Sequence, residues 1–167
     1  YGGELARHLL NVEDNEHATV HELRGFVGDD LAGAFREAEV ISQATQCRQY
    51  LFSLSLNPPK TAKVSVAEFE AVISRIEERL GLAGQPRAIV FHEKLGRRHA
   101  HCVWSRINVQ TLRAINLPHF KRKLTDISRD LYREHGWEIP CGLQDWQGPD
   151  PLNFDHAEAG QAKRTKR

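Results

Sequence analysis

At 167 residues and 40% hydrophobic content, the chain has enough apolar material for one folded domain without staples. Its three cysteines, Cys47, Cys102 and Cys141, are odd in number and form no CxxC pair, which suggests neither a disulfide framework nor a cysteine-rich zinc site and fits a reducing, cytoplasmic setting best. A formal net charge of +1 conceals local basic clusters, and neither a membrane-length apolar run nor a signal-peptide pattern is present, so a soluble protein without a membrane partner is expected.

The first element predicted is a helix over GELARHLLN, with Leu5, Ala6, Leu9 and Leu10 at helical spacing and Asn11 as its stop. ATVHELRGF reads as a strand between polar segments. DLAGAFREAEVIS follows as a helix, with Leu31, Ala34, Phe35, Ala38 and Ile41 on one face and Asp29 or Asp30 as N-cap. RQYLFSLSLNPP alternates as a strand does, placing Tyr50, Phe52, Leu54 and Leu56 on one side and Leu51, Ser53 and Ser55 on the other, until Pro58 and Pro59 end it.

SVAEFEAVISRIEERLGLAG carries the clearest helical stripe, Val66, Phe69, Val72, Ile73, Ile76 and Leu80, with Ser65 at its start and Gly81 or Gly84 at its end. RAIVFHEK and HAHCVWSRIN are strands joined by a short polar segment containing Gly96, and most simply form an antiparallel hairpin. A last helix repeats Leu117, Phe120, Leu124, Ile127 and Leu131 and stops at Gly136; the proline- and glycine-rich remainder reads as a surface loop. This order predicts an α+β fold, an antiparallel β-sheet with helices packed on it. Residues 1–142 are expected to form the domain and residues 143–167 a loop and basic tail. The abrupt helical start and polar end suggest a domain cut from a longer protein.

Three histidines, His92, His99 and His101, fall in the hairpin. His99 and His101 project from the same face of their strand, shared with Val103 and Ser105, and a hairpin can bring His92 beside them. Neutral imidazole is a common metal ligand, and three convergent rings leave a coordination position open for water or substrate. Chemistry alone leans toward zinc or another transition metal with a taste for imidazole. Trp104 lies on the opposite face and reads as core.

The stretch HEKLGRRHAHCVWSRIN resembles the histidine motif of mobilisation relaxases of the HUH endonuclease superfamily, in which a strand-end histidine precedes an H-x-H pair; those positions here are His92, His99 and His101. HLLNVEDNEHATVHELRGF, QYLFSLSLNPP and the closing helix extend the resemblance over roughly Gly2 to Gly142. Two departures stand out: Ser105 where the family usually has Asn, before Arg106, and Lys94 where many relatives carry an acid. The resemblance implies an enzyme that binds single-stranded DNA at an origin of transfer, nicks it and stays joined to the 5′ end. It further implies a divalent metal, magnesium or manganese rather than zinc, and partner relaxosome or secretion coupling proteins. Such a cation would stabilise charge developing on the scissile phosphate.

Most of these relatives use a tyrosine on the first helix, and this chain has none there. His8 stands near the expected place and can attack phosphorus through its imidazole; Tyr1, earlier in the chain, is the second candidate, and a metal-activated water the third. Tyr50 and Tyr132 read as core. Among EDNEHATVHE, with Glu16, His17, His21 and Glu22, strand alternation allows only one of His21 and Glu22 to face the site, and Glu22 is the candidate acid. Arg97, Arg98 and Arg106 are candidates for the DNA backbone, while Trp137 and Trp146 lie in the loop region, where base stacking is open. Two other function classes stay open: a relaxase-derived domain that only binds DNA, and a metal-dependent phosphodiester hydrolase that forms no covalent intermediate.

Overall fold

The computed structural model describes residues 1–11, 13 and 17–144. Its elements run α1 (Gly2–Leu10), β1 (His17–Arg24), α2 (Leu31–Gln43), β2 (Leu51–Leu56), α3 (Val66–Leu80), β3 (Arg87–Lys94), β4 (Arg97–Ser105), β5 (Ile107–Asn108), β6 (Arg113–Ala114), α4 (Phe120–Glu134) and α5 (Cys141–Gln144). Two compact units divide the chain, Tyr1–Leu124 and Thr125–Arg167.

Local chemistry sets the helix boundaries in the first unit. Asp30 caps α2, its carboxylate accepting the Gly33 N–H at 2.6 Å. Ser65 and Glu68 close a reciprocal capping box on α3, and Gly81 ends that helix in the left-handed region at φ 74°. The β3–β4 connection is tighter than the sequence suggested. Lys94 pairs with Arg97, leaving only Leu95 and Gly96 to turn the chain, both left-handed at φ 51° and 69°. Two left-handed central residues match the right-handed twist of the flanking strands.

The sheet has strand order β1-β3-β4-β2, with every neighbouring pair antiparallel. The predicted α+β architecture is therefore the one observed. One face of the sheet meets α1 and α2: Ala6, Leu9, Leu31, Ala34, Phe35 and Ala38 form a single buried cluster with Leu51, Ala88, Val90 and Val103. Burying a side chain such as Phe35, wholly withdrawn from solvent, stabilises by about 1.5–3 kcal/mol. The opposite face meets α3, where the rings of Phe69 and Phe91 lie 5.4 Å apart. Trp104, also wholly buried on this face, donates its Nε1–H to Glu77 at 2.8 Å.

Glu77 is buried on α3 and forms an ionic cluster on that face. It bonds Arg24 of β1 and lies 3.0 Å from Arg87 Nη1, while Arg87 Nε donates to Glu22 at 2.9 Å. Glu77 and Arg87 are buried, Arg24 and Glu22 half-buried, and the opposite charges compensate one another, as burial requires.

Strand β1 departs from simple alternation. Its register with β3 slips between Val20 and Glu22, making His21 the extra residue of a bulge. In consequence His21 and Glu22 both turn toward α3: His21 Nε2 lies 2.7 Å from Glu70, and its ring 5.0 Å from that of Phe91. The expectation that the two would point to opposite faces fails because a bulge sets two residues against one. The short β5–β6 pair and α5, in a region expected to be loop, are further departures.

In the second unit, the ring of Trp137 stacks on His135 at 4.3 Å and stands edge-on to Tyr132 at 5.4 Å. Arg129 Nε donates to the Leu143 carbonyl at 3.1 Å. Glu16, Trp146 and the basic tail from residue 145 onward lie outside the described residues. Among the described residues, no helix is long and apolar enough to cross a membrane.

Candidate metal centre

The hairpin brings the histidines together through its register. His92 pairs directly with His99, and His101 pairs with Val90 on one side and Ser55 on the other. Directly opposed residues of an antiparallel ladder point to the same face, so all three rings emerge on the side that also carries α1 and α2. The rings of His92 and His101 are 4.3 Å apart.

Each imidazole has a different hydrogen-bonding state. His92 is buried, and its Nε2 bonds the Leu9 carbonyl at the end of α1. A carbonyl only accepts, so His92 donates from Nε2, and in its neutral form that nitrogen carries the hydrogen. His101 Nδ1 stands 2.9 Å from Ser55 Oγ. His99 Nδ1 is buried with no hydrogen-bond partner.

Electrostatics favour the neutral form of His99 and His101. Burial, then the charges of His92, His99 and His8, push His101 down to about 4. Burial again, followed by Arg97, His92 and Lys94, lowers His99. Neutral imidazole is the form that offers a lone pair to a cation. Among the described residues, no three His, Cys, Asp or Glu side chains stand in metal-holding geometry. In kind, though, the donors suit a divalent ion: three imidazoles gathered on one face, with His99 and His101 held toward the neutral form and His99 carrying an unsatisfied buried nitrogen.

The other predicted site residues divide around this cluster. His8 is exposed on the last turn of α1, next to Leu9, and its charge is one of those acting on His101. Tyr1 caps the opposite end of α1, 62% exposed, with its ring 6.0 Å from Tyr50. Gly2 N–H donates to the Tyr50 hydroxyl at 3.2 Å, anchoring that end of the helix. Glu22 is not brought to the histidines: it lies across the sheet, engaged with Arg87.

The three arginines do not share one surface. Arg97 has the strand parity of His99 and His101, and Lys94, its cross-strand partner, has that of His92, so both flank the histidine face. Arg97 Nη2 donates to the Pro58 carbonyl. Arg98 turns to the α3 face, bonded to Glu93 at 2.7 Å and lying 5.4 Å over the Phe91 ring. Arg106, past the far end of β4, donates to the carbonyls of Gln49 and Ile115 at 3.2 and 3.1 Å.

Two contacts to the histidines come from positions outside the histidine motif, Ser55 and Leu9. Ser55 lies in LFSLSL, whose alternating serines mark a polar strand face, and that signal was readable. The Leu9 carbonyl carried none, since any residue supplies a backbone oxygen.

A family model described as relaxase, MobA/VirD2-like, nuclease domain matches residues 8–137. Comparisons with curated proteins and with solved structures found no match.

Proposed function

The chain belongs to the relaxase family as a MobA/VirD2-like nuclease domain, and from this premise we propose that it nicks single-stranded DNA at an origin of transfer and retains the 5′ end covalently. Membership itself carries the general role, that of a DNA-nicking relaxase in a family that generally depends on a divalent metal. What supports the finer reading is one juxtaposition: three imidazoles on one sheet face, with the last turn of α1 bonded to one of them through Leu9.

His92, His99 and His101 would hold the cation, manganese or magnesium in preference to zinc. When bound, it supplies positive charge for the nonbridging oxygens of the scissile phosphate. His8 approaches from α1 as nucleophile. Its imidazole nitrogen attacks phosphorus, the N–P bond forms as the P–O3′ bond breaks, and the departing 3′ oxygen takes a proton from water. Lys94 and Arg97, flanking the same face, would contact the backbone phosphates, adding salt-dependent affinity without reading sequence. Tyr1 is the second candidate nucleophile, and reaching the histidine face from its place beside Tyr50 would require α1 to move. Arg98, Arg106 and Glu22 remain weaker candidates, since each already has protein partners on other surfaces. A cytoplasmic location and relaxosome or secretion coupling partners belong to the same proposal.

The test is incubation of the chain with manganese and end-labelled single-stranded oligonucleotides of randomised sequence, followed by denaturing electrophoresis. A protein–DNA adduct lost in His8→Ala is the expected result. An adduct that survives His8→Ala transfers the role to Tyr1. Cleavage without adduct indicates attack by water, and binding without cleavage indicates a DNA-recognition domain.

A further inference from the structure

Ser55 faces the histidine cluster from β2, an edge strand that carries none of the imidazoles. It pairs with His101 in register, its side chain is exposed, and its Oγ is 2.9 Å from His101 Nδ1. A hydroxyl can donate or accept, and a neutral imidazole presents one nitrogen of each kind, so two arrangements satisfy this contact. If Ser55 donates, His101 carries its hydrogen on Nε2 and has no lone pair left for a ligand. If Ser55 accepts the Nδ1–H, the lone pair stands on Nε2.

Only the second arrangement makes His101 a partner to His92 and His99 around a shared ion. Histidine ligands depend on such a contact at their other nitrogen, which fixes both the tautomer and the rotation of the ring. For His92 the Leu9 carbonyl already enforces one tautomer, because it can only accept. His101 has no equivalent backbone acceptor among its described contacts, and a serine takes that place.

We propose that Ser55 is a positioning residue: by accepting the Nδ1–H of His101 it holds that ring in the tautomer and orientation that present Nε2 to a divalent cation, and thereby sets the affinity of the histidine cluster for that cation. The proposal rests on the reading of His92, His99 and His101 as a cation site. It assigns Ser55 no contact with DNA and no part in bond breaking.

The experiment is manganese titration by isothermal calorimetry on the full chain as wild type, Ser55→Ala and Ser55→Thr, with thermal unfolding of each in a chelator. Ser55→Ala is expected to weaken manganese binding about 10–100-fold, the range seen when a partner of a ligand histidine is removed. Ser55→Thr, which keeps the hydroxyl on a residue suited to a strand, should bind close to wild type. All three should unfold at the same temperature without metal. Equal affinity in Ser55→Ala and wild type would overturn the proposal while leaving the cation site intact. So would a Ser55→Thr protein as weak as Ser55→Ala, or an affinity loss matched by lost metal-free stability, since the hydroxyl would then serve the fold alone. A wild type that binds no manganese would remove the cation site itself, and the role of Ser55 with it.

Discussion

Replacing Glu77 with alanine tests how firmly α3 is clamped to the back of the sheet that displays the histidines. The wild-type carboxylate sits between Arg24, Arg87 and the Trp104 N–H, with the Glu77 and Arg87 side chains only 7% and 8% exposed. Truncation leaves the Trp104 donor buried without a partner, a penalty of about 1–3 kcal/mol. It also strips one counter-charge from Arg87. Removing one member of a buried pair costs about 3–5 kcal/mol when nothing else compensates, but Glu22 still bonds Arg87. The sum is therefore set at its lower end, about 4 kcal/mol, against the roughly 5–15 kcal/mol that holds a typical domain together. Glu77→Gln keeps an oxygen for Trp104 and loses only the charge, so it should cost about half as much. Urea unfolding followed by circular dichroism measures both. A Glu77→Ala loss below about 1 kcal/mol would refute the reasoning, because the cluster would then behave as a solvated surface pair.

Other outcomes follow from the histidine face and the turn beside it. Manganese should raise the unfolding temperature of the wild type, since a ligand that binds only the native state stabilises it, and His99→Ala or His101→Ala should abolish that shift in a thermal scan. In the metal-free protein, the folded pKa of His101 lies at about 4 against the ordinary 6.5, with His92, His99 and His8 as the facing charges. The unfolded chain thus binds a proton that the native state refuses between those values, so stability falls as pH drops from 6.5 toward 4. Allowing for partial solvent access, the loss should be about 1–2 kcal/mol, and His101→Gln should flatten the denaturation profile across that window. Leu95, 86% exposed and left-handed at φ 51°, sits where asparagine is preferred, so Leu95→Asn should stabilise the hairpin by up to about 1 kcal/mol in the same assay.

Much of this arrangement could be read from the chain because it depends on local periodicity. The apolar stripe of α3 with Ser65 and Gly81 at its ends, the alternation in LFSLSL, and the parity of His99 with His101 are all properties of short windows. The convergence of His92 followed once Gly96 marked a turn. What stayed hidden depends on residues distant in sequence. The slip at His21 is a matter of pairing between β1 and β3, and it carried Glu22 to the α3 face with Arg87. Arg98 looked like a neighbour of Arg97, yet adjacent positions in a strand point to opposite sides, and Glu93 and Phe91 hold it there. The link between α1 and His92 runs through a backbone oxygen, to which composition is blind. Ser55 was visible as a polar strand position, but its partner became known only when β2 was paired with β4.

The two-residue turn at Leu95 and Gly96 makes the histidine cluster a matter of odd and even. Inserting a single amino acid within β4 between Arg97 and His99 would leave the H-x-H signature untouched for any reader of the sequence. In the fold it would flip both rings through the pleat, away from His92 and α1 and into the territory of Phe69 and Trp104. A pair of inserted residues at the tip would merely lengthen the ribbon. A single residue added at the tip would be taken up by a three-residue turn and leave His92 opposite His99.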